Sequence, residues 1–248
     1  MFYFNSKIFP YHSPEIYKKE LKWFPSDKEE TYEEHNNLYK KDDIIYKFND
    51  NGFRCDEFSL ENNNRIVFLG CSITEGIGVH QHEIWANIFL EKLKIKFNTF
   101  IPYWNLSLAG SGIDALLRAY YNYYDLLKPQ YVIAYFPCYR KEIYNNTHEI
   151  QSLNVNDYQN YSDFFNENSI IYETSKNFLL LQNLMEKYNT KLFWNTYDNL
   201  EIYPNRINKF NSSIEWDKKA RDKMHPGPHA HKKFAEKVYI ELHNKIKF

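Results

Sequence analysis

Two widely separated stretches of the chain carry the residue types best suited to chemistry. The first is Gly-Cys-Ser-Ile-Thr-Glu-Gly at 70–76, which closes the apolar run Arg65–Leu69. A short apolar run closed by a turn signal predicts a buried strand, so we expect Ser72 at its carboxyl end. The second is Asp-Lys-Met-His-Pro-Gly at 222–227, which supplies an imidazole and a carboxylate. Ligands of open α/β sheets bind at the carboxyl ends of strands, which makes Ser72 a candidate nucleophile.

These residue types fit covalent catalysis by a serine. A serine hydroxyl becomes nucleophilic when a base removes its proton, and histidine suits this task because its pKa lies near neutral pH. A carboxylate then fixes the imidazole tautomer. We therefore assign Ser72 as candidate nucleophile, His225 as base and Asp222 as the residue that orients the base. The alternatives are a helix N-cap for Ser72 and an ordinary surface histidine for His225.

Acyl transfer also needs hydrogen-bond donors for an oxyanion. The backbone N–H of Ser72 is one candidate because a helix is expected to begin there. The second is Gly110, in Asn-Leu-Ser-Leu-Ala-Gly-Ser-Gly at 105–112, since glycine lets a backbone N–H approach a ligand closely. A plain turn is the alternative for Gly110.

Strands and helices alternate from Arg65 onward, which predicts a three-layer α/β/α domain with a mostly parallel sheet and the motifs at one edge. Residues 1–60 are predicted to be an N-terminal extension that packs on the main domain, 61–248. Residues 141–174 are predicted to be an irregular insertion, and Ser175 to cap the helix that follows. The predicted strands are 65–69, 103–107, 131–136 and 191–196, and the predicted helices span about 83–94, 113–127, 175–188 and 229–245.

The motifs resemble the first, second and last sequence blocks of SGNH (GDSL-type) hydrolases. The matching residues are Gly-x-Ser-x-Thr-x-Gly at 70–76, Gly110, and Asp-x-x-His-Pro at 222–226. The resemblance covers about Arg65 to the C-terminus and implies a flavodoxin-like fold and ester hydrolysis, often deacetylation of carbohydrates or lipolysis. Upstream, Asn-Asp-Asn-Gly-Phe-Arg at 49–54 resembles a segment that precedes this domain in some members. We interpret it as a structural lead-in, with a substrate role for Arg54 as the alternative.

Two positions depart from the family pattern. Cys71 stands where the family often has Asp, and no Asn follows the third strand, where the family has one that donates to the oxyanion. The chain has Pro-Cys-Tyr-Arg there, at 137–140. We hypothesise that Arg140, or else Tyr139, supplies the missing contact by pairing with an anionic substrate or stabilising developing charge. The alternative is a surface arginine in a salt bridge.

Other reactive side chains are given lesser roles. Cys71 adjoins Ser72, but neighbouring strand residues point in opposite directions, so we expect only one of them to face the site. His225 and His229 have the spacing of helical metal ligands, yet Pro-Gly-Pro at 226–228 interrupts a helix there, and we predict no metal site and no cofactor. Basic residues surround the Asp222 loop and could attract an anionic substrate or be an ordinary solvated segment: Lys218, Lys219, Arg221 and Lys223.

The composition of the chain further limits its domain count, its partners and its expected location. The 248 residues suit one α/β domain, and a net charge of -1 predicts neither nucleic-acid nor membrane partners. Three scattered cysteines and the lack of a signal peptide predict a reducing, cytoplasmic location. Abundant Tyr and Phe would allow stacking on sugar rings, but we favour compositional drift as their explanation.

The sequence thus predicts a serine esterase that hydrolyses a small acyl, such as acetyl, ester of a carbohydrate or similar polar small molecule. Two alternatives stay open. The same three residues could transfer the acyl group to another hydroxyl, as in an O-acyltransferase. A degenerate hydrolase scaffold could instead serve as a non-catalytic glycan-binding or structural module. The sequence does not set the oligomeric state.

Overall fold

The apolar runs form one parallel sheet in the computed structural model, which describes residues 19–24, 27–35, 37–58, 65–144, 150–154, 167–198 and 208–248. Its strands are β3 (Ile66–Gly70), β4 (Tyr103–Asn105), β5 (Tyr131–Phe136) and β8 (Lys191–Thr196). They lie in the order β4-β3-β5-β8, and every neighbouring pair is parallel. This order places β3, which carries the serine motif, at an interior position where the chain changes direction across the sheet, the place where α/β folds bind ligands.

Helices cover both faces of the sheet, as the predicted three-layer α/β/α architecture requires. They are α1 (Ser72–Glu75), α2 (Trp85–Phe97), α3 (Ile113–Leu127), α4 (Glu167–Lys187) and α5 (Pro228–Leu242). The alternating side chains of β3 divide the core in two, with Phe68 facing α2 and α5, and Val67 facing α3 and α4. Both faces of each interior strand are buried, which explains why these strands are continuous apolar runs.

Two short antiparallel pairs lie outside the central sheet. The first joins β1 (Glu20–Leu21) to β2 (Tyr46–Lys47), and the second joins β6 (Arg140–Tyr144) to β7 (Ile150–Asn154). The β6–β7 hairpin occupies part of the segment predicted to be an irregular insertion, so that prediction is wrong for residues 141–144 and 150–154. The remainder of the segment, up to residue 166, lies outside the described residues.

The predicted helix start at Ser175 is also wrong. Helix α4 begins at Glu167, and Ser175 lies in its interior, where it is buried. The early turns of α4 are rich in Asn, Glu and Tyr and lack a continuous apolar stripe, so periodicity gave no signal for them. The other predicted strands and helices are present, and none of their ends differs from the prediction by more than three residues.

The described part of residues 19–58 packs against the sheet domain through a small apolar cluster of its own, which includes Tyr46 and reaches Ile77 after α1. The Asn49 carboxamide accepts hydrogen bonds from the N–H groups of Asn51 and Phe53, forming a turn closed by Gly52 at φ +79°. This turn directs the side chain of Arg54 into the interior of the protein, where it is buried. Among the described residues, no helix is long and apolar enough to cross a membrane.

Candidate active site

Ser72 stands on a tight turn between β3 and α1. Cys71 is still extended, and Ser72 is the first residue of the helical turn that Gly76 ends in the left-handed conformation at φ +86°. At Gly70 a Cβ atom would lie 2.5 Å from the carbonyl oxygen of Tyr135 on β5. Glycine is therefore required before the serine, because only a bare backbone can turn so close to the neighbouring strand.

The loop before α5 presents His225 and Asp222 on the same side. The carboxylate oxygen Oδ1 of Asp222 accepts hydrogen bonds from the N–H groups of Met224 (3.0 Å) and His225 (3.1 Å). These bonds curl the loop so that both side chains project from it, as expected for an Asp followed by a short polar turn. Pro226 and Gly227 then separate the loop from α5, which begins at Pro228.

The three predicted side chains meet in one chain of hydrogen bonds. His225 Nε2 lies 2.9 Å from Ser72 Oγ, and His225 Nδ1 lies 2.5 Å from Asp222 Oδ2. The side chain of Asp222 is 1% exposed and that of His225 is 12% exposed, while Ser72 is partly accessible. A buried carboxylate that accepts Nδ1–H leaves the Nε2 lone pair directed at the serine hydroxyl, which is the arrangement needed for proton removal from Ser72.

A buried ion pair anchors this loop to the N-terminal part of the chain. Arg221, which directly precedes Asp222, binds Asp27 at 2.6 Å, and both side chains are almost fully buried. Tyr46 donates to the same carboxylate at 2.5 Å, and the N–H of Arg221 donates to the Gly78 carbonyl at 2.8 Å. Residues 19–58 therefore help to hold the loop that carries Asp222 and His225.

Two of the basic residues around this loop are paired with carboxylates and so offer no free charge to an anionic substrate, and the alternative of a solvated segment is wrong for Arg221. Arg221 is buried against Asp27, and Lys223 donates to the Glu33 carboxylate at 2.8 Å. Asp27 is itself buried. Arg54, interpreted as structural, is buried and donates to the carbonyls of Glu75, Gly76 and Val79, while its guanidinium stacks on Tyr46.

The Gly110 loop lies beside the Ser72 turn. The N–H of Leu108 donates to the Gly70 carbonyl at 3.0 Å, and the Ser111 hydroxyl approaches the same carbonyl at 3.2 Å. Gly110 adopts φ +83°, which glycine accommodates without strain. Its N–H is directed at the sulfur of Cys71, where it opposes the rise in thiol pKa that burial causes.

Arg140 also reaches this place. It follows β5 by four residues, and its Nη1 lies 3.9 Å from the point that a Cβ atom of Gly110 would occupy. Among the described residues no carboxylate forms an ion pair with the guanidinium, whose charge favours the ionised forms of Asp198 and of Cys71. The side chain of Tyr139 instead packs against the core cluster on the α3 and α4 face.

The turn that carries Arg140 is held by Asp198, at the end of the neighbouring strand β8. The Asp198 carboxylate accepts the Cys138 N–H at 2.5 Å. Burial raises the pKa of Asp198, while the N–H groups of the turn and the Arg140 charge favour its ionised form. Asp198 thus fixes the path of the chain between β5 and β6.

The expectation that Cys71 and Ser72 point apart is wrong. Cys71 Sγ lies 3.8 Å from Ser72 Oγ because the two residues sit on the turn after the strand, where alternation ends. Burial nevertheless raises the thiol pKa, which keeps Cys71 protonated and a poor nucleophile. His231 is buried, and its Nδ1 accepts the N–H of Trp85 at 3.1 Å. Among the described residues, no group of three potential ligands could hold a metal ion.

Reasoning from the sequence did not identify three residues that lie near the site. Asp27 and Asp198 hold the loops of His225 and Arg140, yet nothing in their local sequence indicates it, since both act across the fold. Glu75 lies inside the serine motif itself and could have been noticed there as an acidic side chain next to a predicted turn. Its carboxylate accepts the N–H of Ala109, immediately before Gly110.

Protein-family models and curated proteins gave no match to the chain. Similar solved structures include a psychrotrophic esterase, EstA, from Pseudoalteromonas sp., with 16% identity, 73% of this chain and 98% of that chain covered, and a TM-score of 0.47. Another, from Desulfitobacterium hafniense DCB-2 and described as lipolytic and of the G-D-S-L family, has 12% identity, 72% and 99% coverage, and a TM-score of 0.43. We base the functional proposal on the site geometry.

Proposed function

We propose that this chain is an SGNH (GDSL-type) serine esterase in which Ser72 is the nucleophile, His225 the general base and Asp222 the residue that orients His225. The observation that carries the proposal is the continuous hydrogen-bonded chain from Asp222 through His225 to Ser72, with contacts of 2.5 and 2.9 Å. It lies at the carboxyl edge of a parallel sheet, where a substrate can reach it.

The geometry supports a two-step acyl transfer. His225 Nε2 takes the proton of Ser72 as Oγ attacks the ester carbonyl, and the imidazolium that forms is stabilised by the Asp222 carboxylate. The same proton passes to the departing alcohol when the C–O bond of the ester breaks. Water then attacks the acyl-serine with His225 again as base, which releases the acid and restores the serine.

The tetrahedral intermediates need donors, and we assign the N–H groups of Ser72 and Gly110 to this role. The Gly110 N–H rests against the thiol of Cys71, which is a weak acceptor, so a developing oxyanion would compete for it favourably. We assign Arg140 as the third donor, because its guanidinium lies beside Gly110. Arginine there adds a full positive charge to the donor set.

The position of Arg140 also bears on which acyl groups the site would accept. A guanidinium beside the proposed Gly110 donor disfavours a long alkyl chain, because covering a charge with hydrocarbon costs its hydration. We therefore extend the proposal to a small acyl group, such as acetyl, on a polar alcohol such as a carbohydrate. Comparison of aryl acetate with aryl octanoate tests this extension, and a higher kcat/KM for octanoate would contradict it.

Active-site labelling tests the proposed reaction directly. A fluorophosphonate probe should label the wild-type chain and fail to label Ser72→Ala, while Ser213→Ala, which changes an exposed serine, should label normally. His225→Ala should lose hydrolysis of aryl acetate with its folding intact. Labelling that does not depend on Ser72, or aryl acetate hydrolysis that survives in Ser72→Ala, would refute the assignment.

The role of Arg140 needs its own variants. Arg140→Ala should lower kcat by about 100- to 1,000-fold, the usual cost of removing one oxyanion donor. Arg140→Lys keeps the charge but loses the planar fork, and should recover part of that loss. If Arg140→Ala leaves both kcat and KM unchanged on aryl acetate, Arg140 has no part in the reaction.

A further inference from the structure

Glu75 is an acidic side chain buried within the serine motif, three residues beyond Ser72 at the other end of α1. It is 1% exposed, and its carboxylate accepts the backbone N–H of Ala109. Burial raises its pKa to about 7, whereas the Ala109 N–H and the nearby Arg54 charge favour the ionised form. The three-residue link through α1 therefore connects Ser72 directly to the loop that carries Gly110.

The contact made by Glu75 falls next to the proposed donor on that loop. The Ala109 N–H belongs to the Leu108–Ala109 peptide, so its bond to Glu75 fixes the peptide group that directly precedes the one bearing the Gly110 N–H. Other contacts of the loop run through Leu108 and Ser111 to the Gly70 carbonyl, and from the Gly110 N–H to the Cys71 sulfur. Glu75 is thus a side chain that holds the loop one peptide group before the Gly110 donor.

The backbone around Glu75 is held in place by the buried Arg54. Arg54 donates to the Glu75 carbonyl at 3.3 Å and to the Val79 carbonyl at 2.8 Å, with a further bond to Gly76. These bonds hold the backbone of α1 and the segment after it in one position. A buried carboxylate is a costly way to stabilise a loop, because its desolvation offsets much of the hydrogen-bond energy. Such cost is typical of residues that serve a site.

We propose that Glu75 is a positioning residue for catalysis, which aligns the Gly110 N–H with the Ser72 N–H so that both point at one oxyanion. The inference rests on the proposed esterase function. It assigns Glu75 no contact with the substrate, and it separates the residue from the Asp222–His225 pair, which handles the proton. An oxyanion donor acts mainly in the transition state, so misalignment should reduce kcat and leave KM largely unchanged.

The test compares three substitutions of Glu75 in the full chain. Glu75→Ala removes the acceptor, Glu75→Asp withdraws it by one methylene, and Glu75→Gln keeps a carbonyl oxygen at the same reach. The kcat for aryl acetate is divided by the fraction of chains that a fluorophosphonate labels at saturation, so that misfolded protein does not count. Glu75→Ala should lower this kcat about 100-fold, as expected for a group displaced by about 1 Å. The kcat per labelled site of Glu75→Asp should lie between those of Glu75→Ala and wild type, and that of Glu75→Gln should be near the wild-type value.

Glu83→Ala is the matched control. The Glu83 carboxylate also accepts a backbone N–H, from His80 at 2.9 Å, but it holds a different turn. Its kcat per labelled site should equal that of wild type. If Glu75→Ala fails to fold, Glu75→Asp and Glu75→Gln still decide the question.

Three results would overturn the inference. They are an unchanged kcat per labelled site in Glu75→Ala and Glu75→Asp, an equal loss in Glu83→Ala, or a loss in Glu75→Gln as large as in Glu75→Asp. A wild-type chain that shows Ser72-dependent labelling and hydrolysis alongside any of these keeps the esterase proposal and removes only the role of Glu75. Absence of Ser72-dependent labelling and hydrolysis removes both.

Discussion

Replacement of His231 by glutamine should make the protein less sensitive to mild acid. His231 is fully buried on α5, and its Nδ1 accepts the N–H of Trp85, so the ring is neutral with its proton on Nε2. Among the described residues, no acceptor lies within reach of that Nε2 proton. Burial, reinforced by the charges of His225 and Arg54, lowers the pKa of His231 to about 3.

The size of the effect follows from this pKa. Histidine in the unfolded chain has a pKa of about 6.5, so acid protonates the unfolded state first and draws the equilibrium toward it. Because the folded-state pKa is depressed, the stability contribution is complete above pH 6.5 and is lost as pH falls from there toward 3. At pH 5, about 1.5 units below the unfolded value, the loss is about 2 kcal/mol at roughly 1.4 kcal/mol per unit.

Urea unfolding followed by tryptophan fluorescence at pH 7 and pH 5 measures this loss. In His231→Gln the amide oxygen can still accept the Trp85 N–H, but the side chain does not titrate. The free energy of unfolding of wild type should fall by about 2 kcal/mol more than that of the variant between the two pH values. Other titrating groups act on both proteins and cancel in the comparison. Equal losses in both proteins would show that His231 is not kept neutral by the fold.

Three further substitutions probe the site and its supports. Asp222→Asn should lower kcat for aryl acetate by about 10,000-fold by favouring the wrong tautomer of the base, with circular dichroism unchanged; a change below about tenfold would contradict the orienting role. Asp27→Ala leaves Arg221 buried without its carboxylate and should cost about 3 to 5 kcal/mol in urea unfolding, whereas a cost below about 1 kcal/mol would mean that water solvates Arg221. Asp198→Ala frees the turn before Arg140 and should reduce kcat with little change in KM, while Asp198→Asn, which keeps an acceptor, should recover most of the rate; equal rates in both variants would argue against this role.

The local part of the site could be predicted because its signals are local. The conformations of the serine turn and of the Asp-x-x-His loop are each determined by a few neighbouring residues. The parallel sheet then brings the two loops to one edge. The expected three-layer fold is confirmed for the same reason, since each strand and most helices carry their own period. Ser72, His225 and Asp222 are accordingly found in hydrogen-bond contact.

The supports of the site could not be predicted because they depend on distant pairs. Asp27 and Arg221 are separated by 194 residues. The sequence around a charged residue in a polar stretch does not indicate which distant residue it will pair with. Solvated charge was therefore the natural expectation for both. The start of α4 was missed for a different reason, since packing against α3 stabilises turns whose own sequence has weak amphipathic character.

The pairing of Arg221 with Asp27 also sets when the candidate site can form during synthesis. Asp27 leaves the ribosome early, whereas Arg221 and the loop behind it emerge about 194 residues later. The N-terminal part must wait, with a carboxylate destined for the interior, until that loop has been synthesised. A product that terminates before Arg221 therefore has neither His225 nor the anchor of its loop. Pairing between residues so far apart in sequence is a slow, non-local step in folding.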